Sequence, residues 1–107
     1  VSAGNGRGGD RGCPNTSKMS SANLSYLANN PYAITVGALN KNDTYAKYSN
    51  PGSNLWISAY GGDSSDSEYI TTTDRNNSYT NQMSGTSAST PMVAGGVALL
   101  IEACPTL

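Results

Sequence analysis

Two short stretches of this sequence hold side chains able to do chemistry on a carbonyl group. The first is Ser84-Gly85-Thr86-Ser87-Ala88-Ser89-Thr90-Pro91. It leads into small apolar residues that read as a helix, with Ser87 at the helix mouth. A serine there has two readings. It can cap the helix, its hydroxyl accepting from a free backbone N–H. Or it can be a nucleophile, because a helix N-terminus stabilises developing negative charge and offers N–H donors to an oxyanion. Pro91 sits near the first turn, where a missing N–H costs least. The second stretch is Val1-Ser2-Ala3-Gly4-Asn5-Gly6, in which a strand runs into a glycine-flanked asparagine. Glycines let the chain turn sharply and let a substrate approach. Asn5 is either part of an ordinary turn or an amide donor to a tetrahedral oxyanion, an effect worth about 3–4 kcal/mol of barrier.

The elements that must position these groups follow from periodicity. Residues 4 to 31 read as a polar loop region, with a short helical turn around residues 21 to 27. Residues 33 to 39, β-branched and apolar, predict a buried strand. Asn50-Pro51-Gly52 is a turn signal. Residues 55 to 60 predict a second strand, stopped by Gly61-Gly62, and residues 68 to 73 its return arm in a hairpin. Residues 74 to 81 read as a polar loop. From Ser87 to Ala103 the pattern is apolar nearly all round, which predicts a buried helix. Gly95 and Gly96 cost it about 1 kcal/mol each against Ala, reasonable where backbones pack closely. Trp56, Met92 and Val93 are expected in the core. Strands followed by one buried helix give an α/β layered fold.

Composition narrows the class. Of 107 residues only 36% are hydrophobic, Phe is absent, and the net charge is −1. No Lys/Arg cluster exists to neutralise phosphates, so a nucleic-acid partner is not expected. The longest apolar run, residues 92 to 101, is about half a bilayer span, so no membrane segment is expected either. With no His and no CxxC pattern, a zinc site is not expected within the chain. Cys13 and Cys104 would close a long loop worth about 4 kcal/mol as a disulfide, or pair elsewhere, or stay free. Four Asn-x-Ser/Thr sequons, at Asn15, Asn23, Asn42 and Asn76, are about what composition alone produces. The chain opens as the tail of a strand and stops directly after the helix. It therefore reads as a piece, truncated at both ends, of a larger domain.

The two chemical stretches also carry a resemblance. GTSASTPMVAGGVALL resembles the nucleophile block of subtilisin-like serine proteases, and SAGNG resembles the block holding their oxyanion-hole asparagine. NPYAITVGALNKNDTYAKYSNPGSNLWISAYGG looks like the strand, Ser-containing turn and strand between them. Tyr48-Ser49 and Ile70-Thr71-Thr72-Thr73-Asp74 look closest to the kexin/furin-like branch. The resemblance implies that residues 1–107 are the later part of one peptidase catalytic domain. The fold would be the later half of a mainly parallel sheet, with the nucleophile helix central and buried. Ser87 would be the nucleophile, and Asn5 the oxyanion donor together with the Ser87 N–H. Ser2, Ala3 and Gly4 would line the pocket for the residue before the scissile bond. The His and Asp of the triad would lie upstream, so a chain without them would be inactive alone. It further implies a protein or peptide substrate, a monomer in full-length form, no cofactor for the chemistry, and an extracellular or secretory-pathway location.

Departures bear on specificity. The kexin/furin branch has an acidic residue after Tyr-Ser, helping to hold calcium behind the specificity pocket; here Asn50 stands there. Gly52 replaces a nearby cysteine. Asp10 resembles an acidic pocket or calcium residue, in a loop of slightly different length, and favours a basic residue in the pocket; the alternative is a solvated loop carboxylate. Asp63, Asp66, Glu68 and Asp74 would either share a structural calcium or lie in a solvated hairpin; their spacing, unlike an EF-hand, favours the hairpin. Two other readings compete. Sedolisin-like acid proteases share an SGTSA-x-x-P block but set Asp where this chain has Asn5. A pseudoprotease would keep the fold as a binding module.

Overall fold

The computed structural model describes residues 1–7 and 20–106. Asp10, Cys13 and Asn15 lie outside the described residues. Strand β1 (Thr35–Leu39) pairs in parallel with β2 (Leu55–Tyr60). The start of the chain adds a third parallel segment on the other edge of β1: Ala3 N–H donates to the Val36 carbonyl at 2.9 Å, and Val36 N–H to that of Val1 at 2.8 Å. In a strand, the backbone polar groups of residues i and i+2 face the same edge. Ala38 therefore presents its groups where Val36 does, but the first segment has already turned away at Gly4. A loop takes over: Ala46 N–H donates to the Ala38 carbonyl at 2.9 Å, and Ser49 Oγ accepts from the Ala38 N–H at 3.1 Å. Residues 46 to 50 are thereby drawn beside the exit of the first segment.

Helix α1 (Thr86–Ala103) packs on β1 and β2. The rest is an antiparallel hairpin, β3 (Ile70–Asp74) with β4 (Ser78–Met83). This corrects two expectations. The return arm pairs with β4 and not with β2, and residues 78 to 81 are strand and not loop. The connection turns on Asn76 and Asn77, at φ +57° and +55°; asparagine tolerates this left-handed region better than most residues. The helical turn near residue 21 is a 3-10 turn over Ala22–Leu24, capped by Ser21 Oγ, which accepts from the Asn23 N–H.

The described core is built from small side chains. Its apolar members are Ala3, Ala22, Ala28, Val36, Ala38, Ala46 and Ala88. Thr35, Ser49, Asn50, Thr86 and Ser89 are buried with them, and each side chain has a hydrogen-bond partner, as burial of polar groups requires. The large apolar residues lie elsewhere. Trp56 is 71% exposed and Leu99 68%. Trp56 and Met92, and the half-buried Val93, are thus not in the described core. Of α1, only Thr86, Ala88 and Ser89 are buried; Val93, Ala94 and Val97 line an open cavity against Val1, Ile34 and Val36, while Met92, Leu99, Leu100 and Ile101 are exposed. Pro91 falls in the second turn of α1, where it has no N–H to give the Ser87 carbonyl.

Candidate active site

The carboxyl ends of the three parallel segments lead to Gly4, to the loop after Leu39, and to Gly61. The N-terminus of α1 sits over them, the place where α/β sheets commonly bind ligands. Gly85 begins the helix, at φ +118° and ψ 167°, a conformation essentially restricted to glycine. Its N–H reaches the Gly61 carbonyl at 2.8 Å and the Tyr48 hydroxyl at 3.0 Å. Tyr48 Oη in turn donates toward the Gly61 and Gly62 carbonyls, at 3.0 and 2.7 Å. Loss of hydration pushes the Tyr48 hydroxyl up to about 12, so it stays protonated and able to donate at physiological pH.

Gly85 has no side chain to cap α1. Asn5, from the far end of the sequence, supplies the cap. Its Oδ1 accepts from the Thr86 N–H at 2.9 Å and from Thr86 Oγ1 at 2.8 Å. Thr86 Oγ1 also accepts from the Gly4 N–H at 3.2 Å. Two donors on one side of the Asn5 amide determine which atom is oxygen there. The NH2 group must face the other way, and it meets no acceptor among the described residues.

Ser87 follows Thr86 as the second residue of α1 and is exposed. It is not the cap. Neither its Oγ nor its N–H has a hydrogen-bond partner among the described residues, and it lines an open groove of about 320 Å³ with Ile70, Met83 and Met92. The structure therefore brings together a free hydroxyl, a free N–H at a helix N-terminus and a free amide NH2. Ala3 is buried, Ser2 and Gly4 are half-buried beside Asn5, and Asp10 lies outside the described residues.

The sequence does not reveal how the site is supported. Thr86 orients Asn5, Tyr48 ties Gly85 to the end of β2, and Asn50 holds the loop around Asn5. Their partners lie 13 to 82 residues away, so no local pattern reveals them. Asp63, Asp66 and Glu68 lie near Lys47 and are taken up by lysines and backbone N–H groups. Asp63 is buried and accepts from the Lys47 N–H at 2.9 Å. Asp66 pairs with Lys47 at 2.6 Å and Glu68 with Lys41 at 2.9 Å, while Asp74 accepts from the Arg75 N–H. The Lys41 contact holds the Glu68 carboxyl below its ordinary range. Among the described residues no three His, Cys, Asp or Glu groups come together as metal ligands. Cys104 is exposed and free. No helix of the described residues is long and apolar enough to cross a membrane.

Comparison with known proteins gives the family and the fold. The family model described as Subtilase family matches residues 1–107. Kexin of Saccharomyces cerevisiae is 36% identical over 102 residues, covering 95% of this chain. An extracellular serine protease of Aeromonas sobria is 32% identical over 113 residues, covering 80% of the chain. Among solved structures, a cold-adapted subtilisin-like serine proteinase superposes with a TM-score of 0.75 at 28% identity, covering 96% of the chain. The chain spans 11% of the length of the kexin, 18% of the Aeromonas protease and 31% of the solved proteinase.

Proposed function

This chain belongs to the subtilase family, and we propose that it supplies the nucleophile and oxyanion hole of a serine endopeptidase. One observation carries the reading: the Asn5 amide is clamped on Thr86 through its oxygen, beside a Ser87 whose hydroxyl and N–H are both free. Ser87 Oγ attacks the carbonyl carbon of the scissile peptide bond. The oxyanion that forms accepts from Asn5 Nδ2 and from the Ser87 N–H. Collapse breaks the C–N bond, the amine leaves with a proton, and water then hydrolyses the acyl-enzyme. The base that takes the Ser87 proton is not in this chain, which has no His. In this reading a His base and its Asp partner lie upstream of this chain. The chain is then the later part of one catalytic domain, inactive when isolated.

Ser2, Ala3 and Gly4 form one wall of the pocket for the residue before the scissile bond, and Asp10 favours a basic residue there. Equal cleavage of Arg and Leu substrates would overturn the role given to Asp10. Likeness to an extracellular serine protease of Aeromonas sobria and to a cell wall-associated protease of Bacillus subtilis supports an extracellular or secretory-pathway location. The test of the main reading is covalent. The full-length protein, treated with a fluorophosphonate, is expected to be labelled at Ser87, and Ser87→Ala to abolish labelling. Well-folded, mature full-length protein that is not labelled would refute the peptidase reading and leave a binding module.

A further inference from the structure

Asn50 is 9% exposed and makes no hydrogen bond to Ser87 or to the side chain of Asn5, yet it holds the oxyanion loop on both sides of Asn5. Its backbone N–H donates to the Gly4 carbonyl at 2.9 Å. Its Nδ2 donates to the Ala3 carbonyl at 3.1 Å, and its Oδ1 accepts from the Gly6 N–H at 2.8 Å. One side chain thus bridges the residues before and after Asn5. An uncharged amide carries its donor and its acceptor on two separate atoms, so one short side chain can give a hydrogen bond to one residue and take one from another. The approach is close: a Cβ on Gly4, which sits at φ +99°, would lie 2.6 Å from Asn50 Nδ2. Asn50 is itself held, because Ala46 and Ser49 complete the edge of β1 where the first segment leaves it.

We infer that Asn50 is a positioning residue for the oxyanion hole, fixing the backbone of residues 3 to 6 so that the Asn5 amide stands where the oxyanion forms. Thr86 sets the rotation of that amide; Asn50 sets its location. The inference deepens the serine-peptidase reading and rests on it. A carboxylate at residue 50 would keep the shape and the acceptor but point an oxygen at the Ala3 carbonyl, pushing the loop outward.

The test is a double-mutant cycle in the full-length enzyme, with each protein normalised to its folded fraction by thermal unfolding. Displacement of a catalytic group by about 1 Å can cost about 100-fold in rate. Asn50→Asp is therefore expected to lower kcat by about 10- to 100-fold with KM within about threefold. In an Asn5→Ala background the same change is expected to cost less than about twofold, because the group it positions is gone. Equal losses in both backgrounds, or a rise in KM alone, would overturn the inference and leave Asn50 as packing or pocket wall. Asn50→Ala is read in the same way should Asn50→Asp not fold. Ser87 labelling of the parent enzyme separates the two levels: its absence refutes the peptidase reading, whereas labelling with additive losses refutes only the role of Asn50.

Discussion

Thr86→Val tests whether the clamp on Asn5 is catalytic or merely structural. Valine has the shape of threonine without its hydroxyl, and residue 86 is 1% exposed, so packing is preserved. Two hydrogen bonds are lost: the 2.8 Å donation to Asn5 Oδ1 and the 3.2 Å acceptance from the Gly4 N–H. Each neutral bond contributes about 0.5–1.5 kcal/mol, and the Gly4 N–H is left without its partner, so stability should fall by about 2–3 kcal/mol. The rate effect is separate. The Asn5 amide keeps one anchor, the Thr86 N–H at 2.9 Å. Losing about 1 kcal/mol of orientation corresponds to roughly fivefold in rate. Complete loss of the donor, at about 10²- to 10³-fold, sets the ceiling. We expect kcat to fall by about 5- to 30-fold with KM nearly unchanged, and Thr86→Ser, which retains the hydroxyl, to stay within about threefold of the parent. Steady-state kinetics on a peptide substrate, with thermal denaturation run alongside, reads both effects in the full-length protein. A Thr86→Val enzyme that loses stability but keeps its kcat would refute the orienting role. A Thr86→Ser enzyme as slow as Thr86→Val would refute it equally.

Gly85→Ala should lower both stability and labelling rate, because the new Cβ would sit 2.9 Å from Asn5 Nδ2 at φ +118°; such backbone strain costs about 1–3 kcal/mol, and a melt within 1 °C of the parent would contradict it. Tyr48 binds its proton more tightly folded than unfolded, its value being raised from 10.0 to about 12. Its contribution to stability is therefore complete below pH 10 and lost as pH rises through about 12; denaturation curves across that range should be flatter for Tyr48→Phe. Asn5→Asp retains both Thr86 donors but presents an oxygen where the NH2 was, so stability at neutral pH should change little while kcat falls by about 10²-fold or more. Near-parental activity at neutral pH would show that the Asn5 amide does not meet the oxyanion.

Legibility from sequence followed burial. Residues 33 to 39 and 55 to 60 read as strands because their β-branched and apolar runs end at turn residues, and the structure places β1 and β2 there. Residues 78 to 81 were harder to read. Ser78, Tyr79, Asn81 and Gln82 are exposed, so no hydrophobic alternation marks the strand. The usable signal was Asn76-Asn77 between two Thr- and Tyr-containing stretches, a hairpin pattern. The Trp56 side chain was expected inside because large aromatics usually are, but it is exposed on β2. At the site, Ser87 and Asn5 stood out because glycines and small residues surround them. The supporting roles of Asn50, Thr86 and Tyr48 were not legible, because each acts through a hydrogen bond to a distant segment, a relation that only the fold creates.

The site rests on a division of labour between neutral groups. A helix N-terminus leaves N–H groups without intrahelical partners. Here one of them, on Thr86, is spent on Asn5 Oδ1, and the next, on Ser87, remains available. That expenditure turns the Asn5 NH2 outward and adds a second donor beside the first. Had Ser87 capped the helix with its own hydroxyl, it would have lost the freedom to act as a nucleophile; Asn5, reached across the sheet, removes that conflict. The same logic bears on the acid-protease alternative. A carboxyl at residue 5 would accept from Thr86 as the amide does, but it could donate to an oxyanion only when protonated. An amide donates at every pH, so the clamp seen here needs no protonation to present a donor.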